Sequence, residues 1–249
     1  MVLSLLVPSA HASDEEFRII STRPGVTQPF LLIRPTGQAV ASVILFAGGE
    51  GHLGLSSQGI SQGANNFLVR NRQRFAGEGF LVAVVDSASD DCLRTSADHA
   101  EDIKHVISEL KKIVDVPVWL IGTSRGTISA ANVAARLKEG GPDGLVLTST
   151  VTKQSKRNFE TVGSVRLEDI RVPTLLVHHK NDDCPVTPYG GAVALRRSLK
   201  QVSKIDLLTF TGGNSLGDPC QAMSHHGFLG LDAEVVSAIA SWIKATSTR

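Results

Sequence analysis

The chain has 249 residues, 42% of them hydrophobic and 20% charged, an ordinary globular composition and enough for one sizeable α/β domain. A formal net charge of +1 argues against nucleic acid or an anionic membrane surface as the main partner. No apolar stretch reaches the length of a transmembrane helix, so no membrane insertion is expected, and no heptad pattern, repeat or low-complexity segment is present.

Residues 1–12 differ in kind from the rest. An apolar run over 2–7 leads into Ser9-Ala10-His11-Ala12-Ser13, an A-x-A site with cleavage after Ala12. This predicts the remnant of a secretory signal peptide without its basic start, and hence an exported protein, periplasmic or secreted. Export would place the three cysteines in an oxidising compartment. Residues 13–249 then form a single domain.

Segments 16–23 and 29–34 read as strands, with Pro24-Gly25 as the turn between them. Segment 41–47 is a third, fully apolar strand ending in Gly48-Gly49-Glu50-Gly51-His52. Segment 66–78 places Phe67, Leu68 and Phe75 among arginines, which predicts an amphipathic helix with Arg70, Arg72 and Arg74 on a solvated face. Segment 80–85 is a buried strand ending at Asp86. Segment 96–114 spaces Ile103, Val106, Ile107, Leu110 and Ile113 as a helix does, with Thr95 or Ser96 as N-cap.

Val118-Trp119-Leu120-Ile121 follows as a strand buried on both faces, and the Ala-rich run after Gly126 reads as a helix. Between them lies Gly122-Thr123-Ser124-Arg125-Gly126. Glycines two before and two after a serine let the chain reverse from strand to helix while exposing the hydroxyl. Further strands are predicted at 144–151, 173–178 and 204–210, and helices at 189–199 and 233–243. This alternation implies an α/β fold: a mainly parallel twisted sheet of about eight strands with helices on both faces. The interval from Val151 to Pro173 is too short for a lid, so no cap domain is expected.

A serine hydroxyl is a poor nucleophile until an imidazole takes its proton, and that imidazole needs a carboxylate to orient it. In a parallel sheet such groups gather at the carboxyl ends of the strands. Asp182 and Asp183 lie just past the strand 173–178, whereas Thr150-Val151-Thr152 offers no acid. His225 and His226 close a Gly-rich loop over 211–226, just before the last helix. The chain order Ser124, Asp182, His226 is the serine, acid, histidine order of the α/β-hydrolase fold.

The sequence resembles the small, lidless, dienelactone-hydrolase-like α/β-hydrolases over nearly the whole mature chain. The carriers are the Gly122–Gly126 elbow, the run Val172-Pro173-Thr174-Leu175-Leu176-Val177-His178 before the acid, and His226-Gly227-Phe228. The chain departs from the family at His179, where glycine usually stands. The resemblance implies Ser124 as nucleophile, Asp182 rather than Asp183 as the acid, and His226 rather than His225 as the base. His178 and His179 are read as structural or rim residues. It also implies an oxyanion hole built from two backbone N–H groups, of Arg125 and of Gly49 in the segment that resembles an H-G-G-G-type loop. In this fold the acid and histidine loops share an edge, so Cys184 and Cys220 are expected to form a disulfide, with Cys92 left free; three pairings are formally open.

A cation at Arg125, in the first turn of a helix, opposes the helix dipole at a cost of about 0.3–1 kcal/mol. An ion pair with Glu50 or Asp86, or a contact to an acidic group on the substrate, would offset it. The implied activity is that of a cofactor-free serine esterase acting on a small-molecule or polymer ester. A peptidase or amidase of the same fold, or a non-catalytic binding protein, are the alternatives. No C-x-x-C or H-E-x-x-H spacing is present, so no metal site is assigned.

Overall fold

A computed structural model describes residues 15–87, 93–156 and 159–247. The expected signal-peptide remnant and Cys92 lie outside the described residues. In chain order the elements are β1 (Glu15–Arg23), β2 (Val26–Ile33), β3 (Ala41–Phe46), β4 (Leu55–Ser56), β5 (Gly59–Ile60), α1 (Phe67–Arg70), α2 (Arg72–Gly77) and β6 (Phe80–Val85). They continue as α3 (Ala97–Ile113), β7 (Val118–Thr123), α4 (Gly126–Arg136), β8 (Gly144–Thr148), β9 (Thr174–His179), α5 (Tyr189–Ser198), β10 (Ile205–Phe210) and α6 (Asp232–Ser247). Short 3₁₀ turns cover Val162–Ser164, Leu167–Asp169 and His225–Gly227.

One eight-stranded sheet runs in the order β1-β2-β6-β3-β7-β8-β9-β10. Only β2 runs against its neighbours, pairing antiparallel with β1 and β6; every other pair is parallel. Strands β3, β6, β7, β8 and β9 are buried at every position, as a sheet covered on both faces requires. Alternate residues feed opposite layers. Leu120 of β7 shares an apolar cluster with Ile103 of α3 and Ile128 of α4, whereas Ile121 shares one with Phe67 of α1 and Ile239 of α6.

The predicted helix over 66–78 is two short helices broken at Asn71. The Asn71 amide donates to the Phe67 carbonyl (2.9 Å) and to Asp232 (2.6 Å), so the side chain competes with the helix for its own acceptor. Two of the three arginines there are not a solvated face. Arg70 pairs with Asp232 at 2.7 Å and donates to the carbonyls of Asn65, Ala222 and Gly227, and Arg72 pairs with Glu15 at 2.7 Å. Strand β8 also stops earlier than expected, because Ser149 turns the chain with φ of 44°.

Helix α3 is capped by Ser96, whose side chain accepts from the His99 amide at 3.0 Å. Burial of the His99 ring, and secondarily the charge of Arg94, lowers its pKa to about 4, against a weaker pull from Asp102. Its Nε2 is buried and has no hydrogen-bond partner among the described residues. The unfolded chain therefore binds this proton near pH 6.5, while the folded chain resists it down to about 4. Stability from this site is complete above 6.5 and falls as pH drops toward 4, by about 3 kcal/mol in total. Urea midpoints at neutral pH and at pH 4.5 should show this slope in the wild type and a shallower one in His99→Gln.

Candidate active site

Because β3, β7, β8, β9 and β10 are parallel, the segments that follow them emerge at one edge of the sheet. Ser124 follows β7 in the left-handed region, at φ of 51°, and α4 begins two residues later. The glycines of the elbow are demanded by contact. A Cβ on Gly122 would lie 2.4 Å from the Gly126 carbonyl oxygen, and one on Gly126 would lie 2.1 Å from that of Phe46. The turn is fixed from below by the Ser124 amide donating to the Thr148 carbonyl of β8 (3.0 Å).

Asp182 follows β9 by three residues and is buried, whereas Asp183 faces solvent. Asp182 Oδ1 accepts from the Cys184 amide (3.0 Å). Oδ2 accepts from Thr187 Oγ1 (2.9 Å) and His226 Nδ1 (3.0 Å), with His178 Nε2 at 3.5 Å. Burial pushes this carboxyl up, but the adjacent His178 imidazole and the hydrogen bonds from His226 and the Cys184 amide outweigh it and hold Asp182 far below the usual carboxylate range. An ionised Asp182 keeps the His226 proton on Nδ1, which leaves Nε2 as an acceptor.

His226 sits in the 3₁₀ turn His225–Gly227, capped by Ser224, whose Oγ accepts from the His226 amide. Its carbonyl accepts from Ser149 Oγ at 2.7 Å, and Thr187 Oγ1 lies 3.1 Å from its Nδ1. The next residue but one, Phe228, is fully buried against Phe67 at 5.0 Å between ring centroids. His225 is half-buried and stacks instead on His179, at 4.4 Å and 8° between ring planes. His179, at the place of the expected glycine, accepts from the Asn181 amide through Nδ1 (3.1 Å), and the Asn181 carbonyl accepts from His225 Nδ1 (3.1 Å). The two stacked rings thus grip the peptide just before Asp182. His178 is buried and donates from Nε2 to the Thr187 carbonyl at 2.8 Å.

Ser124, Arg125, Gly49 and His226 line one open cleft of about 510 Å³, with Phe67, Val151 and Val186 as apolar wall. Cys184 and Cys220 are joined in a disulfide, Cα to Cα 4.6 Å, that also lines this cleft and ties the acid loop to the histidine loop. Arg125 pairs with Glu50 at 2.6 Å. Asp86 is not its partner: that carboxylate accepts from the amides of Leu53, Leu55 and Ser87. Donor atoms of Asp182, Cys184 and His226 fall within 4.8 Å of one another, but the Cys184 sulfur is bonded to Cys220 and the other two groups to each other.

The comparisons agree with this architecture. A lidless α/β serine hydrolase from Xanthomonas campestris superposes with a TM-score of 0.64 at 13% identity, covering 97% of each chain. This is the α/β-hydrolase fold. A Pyrococcus furiosus esterase gives 0.67 at 14% identity, over 99% of this chain and 98% of that one. A dienelactone hydrolase from Anabaena variabilis gives 0.63 at 19%, over 95% and 97%. No protein-family model and no curated protein sequence matches the chain.

Within this fold, Thr187, Ser149 and Arg94 carry no signal in the sequence, and Arg70, expected on a solvated helix face, instead reaches the histidine loop. Thr187 is hidden in a Thr-Pro step that reads as a helix start. Ser149 carries no motif; only its left-handed backbone marks it.

Proposed function

We propose that the protein is a cofactor-free serine hydrolase that cleaves a carboxylic ester or related acyl bond through an acyl-enzyme. Ser124 attacks the carbonyl carbon, and His226 Nε2 takes the hydroxyl proton and later delivers it to the leaving group. Asp182 holds the imidazole and stabilises its charged form. The N–H groups of Gly49 and Arg125 stabilise the tetrahedral oxyanion. The observation that carries this reading is the buried Asp182–His226 hydrogen bond opening on the same cleft as a serine held at φ of 51°.

An open cleft with a short apolar wall favours short or medium acyl groups, or exposed polymer esters. The Cys184–Cys220 disulfide supports export to an oxidising compartment as part of the same reading. Arg125 meets Glu50 through Nη1, and the rest of its guanidinium fork is the group that would meet an acidic substrate. A panel of p-nitrophenyl esters of graded chain length, p-nitrophenyl hemisuccinate and peptide amides tests the reading. Turnover of the shorter esters without the amides supports it. Faster cleavage of amides would make the protein a peptidase, and turnover of none would leave a binding protein on a hydrolase fold.

A further inference from the structure

Residues 47–51, after β3, carry the proposed Gly49 donor, and three of the five are glycine. Such a segment has the most conformational freedom to lose on ordering, and Gly49 itself is exposed. An oxyanion hole acts through donors already in place before charge develops. The loop therefore needs restraint from outside, and two side chains provide it.

Arg94 is buried, and its guanidinium reaches both the loop and α4. Nη2 donates to the carbonyls of Ala47 (3.2 Å) and Gly49 (3.1 Å), and Nη1 donates to Ser129 Oγ in α4 (2.8 Å). The planar guanidinium thus spans from the loop to the helix whose first turn follows Arg125. On the other side, Arg125 Nη1 meets Glu50 at 2.6 Å, joining the residue after the nucleophile to the residue after Gly49. Each proposed donor is therefore tied to the other through a neighbouring side chain.

We infer that Arg94 and the Arg125–Glu50 pair are positioning residues that fix the spacing of the two oxyanion donors. This rests on the hydrolase reading for its catalytic consequence but not for its structural one. It also accounts for a cation at the start of α4, where the helix dipole disfavours it. Glu50 is 81% exposed, so its pairing with Arg125 contributes little to global stability and can be altered without disturbing the core.

Two variants test it: Glu50→Gln, and Arg94→Lys, which keeps the buried charge but loses the fork. The first readout needs no substrate: backbone ¹⁵N order parameters of Gly48, Gly49 and Gly51. The expected result is a rigid value of ~0.85 in the wild type and a fall to ~0.6 in each variant. The second readout is kcat against KM on an ester the wild type hydrolyses. A loss of about 10-fold in kcat with KM unchanged is expected, below the 10²–10³ of removing a donor outright. Order parameters unchanged in both folded variants, or a loss confined to KM, would overturn the inference. A wild type that turns over no ester contradicts the hydrolase reading instead, and the order parameters still decide the positioning.

Discussion

Under the proposed mechanism, replacing His226 by alanine is expected to lower ester turnover by roughly 10⁴- to 10⁶-fold and to leave the protein folded. The expected loss is large because in that mechanism the imidazole acts twice, as base toward Ser124 and as acid toward the leaving group. Stability is spared because the other partners of Asp182 remain: Thr187 Oγ1, the Cys184 amide and His178 Nε2 surround the carboxylate without His226. Ser124→Ala should lose as much, since its hydroxyl is the proposed attacking group. Asp182→Asn should lose about 10⁴-fold, by letting the amide donate to Nδ1 and so stabilise the wrong tautomer. Steady-state kinetics with circular dichroism and a urea titration of each variant check the set. Activity within tenfold of wild type in His226→Ala would remove the histidine from the mechanism and direct attention to His225.

Opening the Cys184–Cys220 disulfide has the second largest expected effect, and it acts on stability and activity together. The bridge closes a loop between positions 36 residues apart, for which the chain-entropy account gives about 3–4 kcal/mol. The Cys184 amide also donates to Asp182 Oδ1, so loosening Cys184 loosens the carboxylate that orients His226. Cys220 stands at the end of an exposed loop, 211–219, that leads into the histidine turn. The double variant Cys184→Ala/Cys220→Ala should unfold at lower urea by about 3 kcal/mol and lose activity at temperatures where it is still folded. The wild type under reductant should behave in the same way. Unchanged kcat in the folded double variant would confine the bridge to a structural role.

The strands were legible because their chemistry is simple. β3, β6 and β7 are uninterrupted or nearly uninterrupted apolar runs, and β6 falls at Phe80–Val85 as its sequence predicts. The elbow is legible because its glycines answer a packing demand that a larger residue could not meet: a Cβ added to Gly126 would clash with the Phe46 carbonyl oxygen. Less visible were features set by side chains meeting across long sequence distances. The break at Asn71 depends on Asp232, and Arg70 leaves its helix face for carbonyls of the histidine loop. Arg94 reaches Ala47, Gly49 and Ser129, none of which shares a motif with it. The hairpin of β4 and β5 has no sequence signature, because two-residue strands carry no readable alternation. His179 stands out in the sequence where a glycine is expected, but its stacking on His225 is a property of two loops brought to one edge.

The central claim is that Ser124 is an activated nucleophile, and a fluorophosphonate reagent tests it most directly, because the reagent reacts with activated serines whatever the natural substrate. Intact-mass analysis of the disulfide-bonded protein should show one adduct per chain, mapped by peptide analysis to Ser124. It should be absent in Ser124→Ala and much slower in His226→Ala. A folded wild-type protein that takes up no label, or takes it up at another residue, would contradict the account.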